Sequence, residues 1–347
     1  GPSSTRCRQG GGTAPAGTSC FPNRPSPETG KPTGKGVSRV SLAAVEKRVP
    51  PMAALAVAVV AVSTSAILIR WSNAPSVVKA LYRVVFTTAL LLPWALGNYR
   101  GEFRQMKGRD FVVAALTGVA LALHFVTWFE SLRHTSVAAS VTLVQSQPVF
   151  VAVGAWALLD ERLTGRMLVG IGVALLGAAA MSLGDPLLAA LGFIDTSSGL
   201  SGTSTYGNLL ALVGAVMAAA YVLAGRSLRQ RISLVPYVVV VYVACSVVLL
   251  AIAVGQNAPL VDYPRREWLL FIGMAIGPGI FGHTVINWAL AHVESGVVSV
   301  SLLGEPVGST LLALLLLPGE IPTPTTVVGG AVVLFGIYLT AAARNER

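Results

Sequence analysis

The stretch His124–Pro148, HFVTWFESLRHTSVAASVTLVQSQP, closes one long apolar run, turns through a short polar segment and opens another. A related pattern returns at His283–Pro306, HTVINWALAHVESGVVSVSLLGEP, where at a constant offset of 158 residues Leu132 falls on Leu290, His134 on His292 and Pro148 on Pro306. With one extra residue in the second copy, Glu161 falls on Glu320, Gly170 on Gly329 and Gly177 on Gly336. The matches keep their order, so the chain reads as one unit built twice. The period is far longer than the roughly 20–50 residues of a solenoid repeat.

Segment length decides what kind of unit this is. A helix of about 20 apolar residues spans a bilayer, whereas buried helices and strands of soluble proteins are usually shorter. Such runs fill almost the whole chain after residue 49, and the composition agrees, with 54% hydrophobic and only 12% charged residues in 347. The net charge of +10 does not indicate nucleic acid, because eight of the 25 Lys and Arg residues lie in the first 48 positions and most of the others in short loops. No basic face with interleaved aromatics emerges. Cys7, Cys20 and Cys245 have no metal-ligand spacing and cannot form a disulfide framework. Cys245 lies in an apolar run and reads as a small packing residue.

Residues 1–49 are rich in Gly, Pro, Ser and Thr and basic throughout, with no apolar run that could make a core, and the expectation there is a disordered tail. Its low acid content keeps an organellar transit peptide open as a second reading, weakened by the Gly and Pro content. Ten spans follow, at about 51–69, 76–96, 111–131, 137–158, 167–183, 206–224, 234–254, 268–289, 296–316 and 325–342. The expected fold is an all-α polytopic membrane protein. Its parts are a first five-helix repeat over 50–183, a linker over 184–205 and a second five-helix repeat over 206–343.

Loop charge sets the orientation. With a cytoplasmic N-terminus the inside loops after the tail hold eleven Lys and Arg residues, and the outside loops hold only Arg70, Arg133, Arg265 and Arg266. Both termini are therefore expected in the cytoplasm. Five spans per half force the second half to cross upside down relative to the first, which makes two inverted five-helix repeats. That architecture lets two halves exchange conformations around a site near the bilayer midplane.

Two ordered sets of motifs carry a family resemblance. The first is SLRHTSVAASVTLVQSQPVFVAV followed by LLDERLTGRMLVGIGVALLGAAAM, and the second is ALAHVESGVVSVSLLGEPVGSTLLALLLLPGE followed by VVGGAVVLFGIYL. In this order they resemble the ten-helix EamA-type members of the drug/metabolite transporter superfamily, over roughly residues 51–343. The first copy departs slightly, with Asp160-Glu161 where the second has Gly319-Glu320. The resemblance implies a transporter of amino acids, sugars, nucleotide-linked compounds or other metabolites, often an exporter in bacteria.

Polar groups inside the spans are the candidate site, since each is costly in hydrocarbon unless it faces protein or a water-filled cavity. Arg83 lies one turn beyond Lys79 in the second span. Lys79 is expected to snorkel towards a headgroup. Arg83 is expected either to hold a substrate anion or to pair with Glu305. Glu305, before Pro306, is a candidate for binding a cation or a coupled proton, and its repeat counterpart is Gln147, before Pro148. His124 shares a helix face with Trp128, and His283 is followed by Asn287 at i+4. Gln145 reads as substrate contact or helix glue. Glu130, Arg133, His134, Glu161, His292, Glu294 and Glu320 stand at span ends, where capping, loop pairing or gating is expected. The glycines Gly165, Gly170, Gly172, Gly177, Gly329, Gly330 and Gly336 suit close helix packing, and Gly277-Pro278-Gly279 suits a hinge or kink.

No HExxH, CxxC, GxSxG or phosphate-binding loop offers chemistry, so an enzyme is disfavoured and no cofactor or metal is expected. The expected activity is secondary transport, with export of small polar metabolites, amino acids first. The expected substrate-binding set is Arg83, His124, Trp128, Gln147, His283, Asn287 and Glu305, with proton coupling left open. The expected partners are a small-molecule substrate and the lipid bilayer, and the location is the cell inner or plasma membrane. The alternative is an organellar or plasma-membrane carrier of sugars, nucleotide-linked compounds or organic phosphates; a channel or scaffold is more remote.

Overall fold

The computed structural model describes residues 50–159, 162–191, 205–228, 231–286 and 301–345. Within them the chain is helical almost throughout. A backbone in hydrocarbon has no water to bond to, and a helix satisfies its own N–H and C=O groups. The elements are α1 Pro51–Trp71, α2 Ser76–Asn98, α3 Arg100–Gln105, α4 Gly108–His134, α5 Val137–Val144, α6 Gln147–Leu159, α7 Gly165–Ala190, α8 Thr205–Leu228, α9 Leu234–Gly255, α10 Arg265–Met274, a π-helix Ala275–Thr284, α11 Gly304–Leu316 and α12 Pro324–Asn345. Among the described residues eight segments are long and apolar enough to cross a membrane, with α5 and α6 together forming one of them. They fall on the first seven expected spans and the tenth. The expected eighth and ninth spans run into residues 287–300, outside the described residues, as does the tail 1–49.

Large apolar side chains project from the outer faces, among them Leu116, Leu176 and Leu315, the last of these 80% exposed. Such a surface suits lipid and not water. Because hydrocarbon is as apolar as leucine, close backbone approach holds helices together in a bilayer. The longest example is α7 against α12. A β-carbon at Gly170 would lie 2.8 Å from the Gly336 carbonyl oxygen, and one at Gly177 would lie 2.8 Å from that of Gly329. Stepping seven residues up α7 therefore means stepping seven down α12, so the two helices run antiparallel. Gly165 and Gly172, grouped with these by sequence, have nothing within 4 Å of such a carbon. They do not belong to the contact face. Cys245 is free and fully buried in the core, as its setting implies.

Three helices depart from the simple span. The fourth span is two helices, because Pro148 has no N–H to give and its ring crowds the carbonyl four residues back. The chain turns at Gln145-Ser146, and Ser136 caps α5 by accepting the Ala139 N–H at 3.2 Å. In the second half α11 begins at Gly304, which puts Pro306 in its first turn. Pro278 lies inside the π-helix, which packs along α1 and α2. The wider π turn accommodates a residue that cannot donate. Lastly, α7 runs on through Pro186 to Ala190, past its expected end at residue 183.

Candidate functional site

The breaks before Pro148 and Pro306 meet. The Gln145 amide donates a hydrogen bond to Oε2 of Glu305, joining the α5–α6 turn to the first turn of α11. Glu305 is 7% exposed and faces a cavity of about 520 Å³, within the usual range for small-molecule sites. His124, Phe125 and Trp128 of α4 form one wall, Tyr221 and Val222 of α8 and Tyr242 of α9 another, and Trp94, Leu234 and Val235 line it near the far ends of α2 and α9. Gln145 and Gln147 both line it. Of the seven residues proposed from sequence, the structure brings His124, Trp128, Gln147 and Glu305 together here. Asn287 and the His283 side chain lie outside the described residues.

His124 is held in one orientation. Its Nδ1 lies 2.9 Å from the Gly214 carbonyl oxygen, which only accepts, so Nδ1 carries a proton, and in the neutral form of the ring Nε2 is the acceptor. The imidazole also stacks on Trp128, with centroids 5.8 Å apart and planes at 26°. The Trp128 Nε1–H is buried and has no hydrogen-bond partner among the described residues. A buried donor of this kind is costly unless something else meets it.

Arg83 does not line the cavity. It stands behind the aromatic wall, 3% exposed, with Cζ 4.9 Å from the centroid of Phe125, 5.8 Å from Phe129 and 5.9 Å from Trp128. Its Nη1 donates to Ser65 Oγ at 2.9 Å. The ion pair with Glu305 offered by sequence is not formed; three ring faces and a hydroxyl take the cation instead. Lys79 also differs from expectation. It does not snorkel but is 3% exposed, and its Nζ donates to the Ile69 carbonyl at 2.9 Å. The last carbonyls of α1 lack intrahelical partners, and a cation at that end is also favoured by the helix dipole.

The end of the bundle where α1 finishes and α2 starts is closed by polar contacts. Arg70 forms an ion pair with Glu320 and donates to the Leu132 carbonyl at 2.7 Å, while Glu320 also accepts the Val137 N–H at 3.3 Å. Glu267, 2% exposed, accepts from the Ser72 hydroxyl and from the Asn73 N–H at 3.0 Å. Thr135 donates to Asn208 at 2.8 Å. These groups tie α1, α4, α5, α8, α10 and the segment before α12 into one seal. Trp94 at the cavity lies fifteen residues beyond Lys79 on α2, about 22 Å along the helix at ~1.5 Å per residue. Sequence reading counted Arg70 among the outside-loop charges and placed Glu320 at a span end suited to loop pairing, without joining the two. The available signal was that both directly follow apolar runs on the same expected side.

Comparison with known proteins identifies the family. The EamA-like transporter family matches over residues 50–183 and 205–342. An uncharacterized transporter of Archaeoglobus fulgidus is 24% identical over 272 residues, covering 77% of this chain and 88% of the relative. A second uncharacterized transporter of that organism is 30% identical over 206 residues, covering 58% and 67%. A protein of Streptantibioticus cattleyicolor described as a "Probable terminal-alkyne amino-acid exporter" is 24% identical over 239 residues, covering 68% and 75%. A solved crystal structure superposes with a TM-score of 0.56 at 18% identity, covering 84% of this chain and 97% of that one, which speaks for the fold alone. The two matched segments and the apolar helices lead to one conclusion: the chain belongs to the EamA-like transporter family of the drug/metabolite transporter superfamily, as a multi-pass membrane protein that carries small molecules and not as an enzyme.

Proposed function

We propose that this protein exports small polar metabolites, amino acids first among them, by alternating access around the cavity at Gln145 and Glu305. The observation that carries the reading is the pairing of that cavity with a sealed end. The solute space is bounded by the meeting of two helix breaks, while the Arg70–Glu320 pair and its neighbours close the bundle beyond it. His124, Trp128, Gln147 and Glu305 contact the solute, and Arg83 stiffens the aromatic wall from behind.

The ten spans form two inverted five-helix repeats, 50–183 and 206–343, joined by a linker over 184–205, with both termini cytoplasmic in the cell's inner or plasma membrane. The glycine contacts support this. Under the sequence correspondence Gly170 becomes Gly329 and Gly177 becomes Gly336, so the contact of Gly170 with Gly336 turns into that of Gly329 with Gly177. A twofold relation between antiparallel equivalent helices requires that exchange. The amino-acid reading draws support from the described role of the Streptantibioticus cattleyicolor relative. Glu305 is the group through which proton coupling would act.

Solute counterflow in proteoliposomes tests the function. Liposomes loaded with an unlabelled amino acid are expected to accumulate the labelled form transiently without ATP. Exchange confined to sugars or organic phosphates would replace the amino-acid reading with the carrier alternative, and no exchange of any solute would remove the transporter reading.

A further inference from the structure

We infer that the cavity reads the ammonium end of its solute, and that its substrate class is amines carried on a bulky apolar or aromatic body, with the carboxylate dispensable. This rests on the transport reading above and sharpens it. Among the described residues Glu305 is the one carboxylic acid that lines the cavity, and no lysine or arginine does. The sequence of residues 287–300, NWALAHVESGVVSV, has none either. Arg83, the cation that sequence offered for a substrate anion, is turned onto the rings of Phe125, Trp128 and Phe129 and bonded to Ser65.

The Glu305 carboxyl group and His124 Nε2 suit a donor-rich head, while the unpartnered Trp128 Nε1–H is left to an acceptor elsewhere on the solute. Gln145 takes Oε2 of Glu305 and fixes the carboxyl group, and with Nδ1 of His124 given to Gly214, Nε2 is the acceptor of the neutral ring. An ammonium group supplies hydrogens to both kinds of acceptor, and its charge is attracted to a carboxylate in a site of low dielectric. A phosphate or lone carboxylate would instead face Glu305 with no lysine or arginine in the described lining to bond it. The rest of the lining is apolar or aromatic, including Trp94, Trp128 and Tyr221, and ring faces attract cations and pack against flat or branched bodies. A cavity of about 520 Å³ is also far larger than an inorganic cation needs.

Three probes of one shape separate the charges: phenethylamine, phenylalanine and 3-phenylpropionate. Ligand binding to the folded state raises the thermal unfolding midpoint of the full chain in detergent. Phenethylamine and phenylalanine are expected to raise it, and 3-phenylpropionate to leave it unmoved at tenfold higher concentration. Glu305→Gln, which keeps the shape, is expected to weaken the phenethylamine response at least tenfold, and Glu305→Asp to preserve the order of the three. The ranking on the unaltered protein decides the matter even where a variant does not fold. Equal stabilisation by 3-phenylpropionate overturns the assignment. So does silence towards both amines while counterflow of a neutral or anionic solute persists, an outcome that leaves transport standing. Absence of counterflow for every solute removes the transport reading, and the amine assignment with it.

Discussion

Gly336→Leu is expected to abolish most of the folded yield. A β-carbon at this position would lie 2.7 Å from both Ala174 Cα and the Gly170 carbonyl oxygen, and these are backbone atoms of a neighbouring helix that cannot rotate away. The variant must push α7 and α12 apart along their shared glycine face. Overpacking a core costs about 1–3 kcal/mol when side chains can adjust; here they cannot, so the loss should exceed ~3 kcal/mol. Gly172→Leu is the control, since nothing lies within 4 Å of a β-carbon there. It should be neutral or slightly stabilising, because glycine is about 1 kcal/mol poorer than alanine in a helix. Size-exclusion profiles and unfolding midpoints in detergent distinguish the two. Equal behaviour would mean that the α7–α12 contact does not hold the bundle together.

The second large effect concerns the sealed end. Arg70→Glu sets two carboxylates against each other where Glu320 is 6% exposed and already accepts the Val137 N–H. Breaking a buried pair costs about 3–5 kcal/mol. Arg70 is 29% exposed, and solvent screening lowers the figure to ~2 kcal/mol. Spent on a conformational equilibrium, that is a shift of more than tenfold towards the state open at this end. A cysteine placed at Ser136, beside the seal, should then react with a membrane-impermeant thiol reagent at least tenfold faster, and net transport should fall. Combining Arg70→Glu with Glu320→Arg should restore slow labelling. Unchanged labelling in the single variant would make the pair a passive surface contact.

Much of this was legible from the chain. Apolar run length located the first seven spans and the tenth, because a bilayer-spanning helix has a length that few other elements share. Gly170, Gly177, Gly329 and Gly336 marked the close packing, although Gly165 and Gly172, grouped with them, do not share it, and the fourth span, read as continuous over 137–158, is broken before Pro148. The partners of the charged residues were harder to read. Lys79 bonds a carbonyl at the end of α1, and nothing in local sequence says which neighbouring helix ends there. Arg83 lies behind Phe125, Trp128 and Phe129, whose i, i+3, i+4 spacing shows a common face but not what that face covers. The repeat correspondence pointed from Glu305 to Gln147, yet Gln145 reaches it. The two-residue turn before α6 re-aims the amides in a way that unbroken helical periodicity does not convey.

If the solute passes through this cavity, filling the cavity stops transport without unfolding the protein. Val222 lines the cavity from α8, whereas Leu209 on the same helix is 54% exposed on an outer face. Counterflow would be measured for Val222→Trp and Leu209→Trp reconstituted at equal density, each with its unfolding midpoint as a check on folding. Val222→Trp is expected to fold with a midpoint close to the unaltered protein and to lose at least tenfold in flux, while Leu209→Trp keeps its rate. A folded Val222→Trp protein that transports at the unaltered rate would contradict passage of the solute through this cavity.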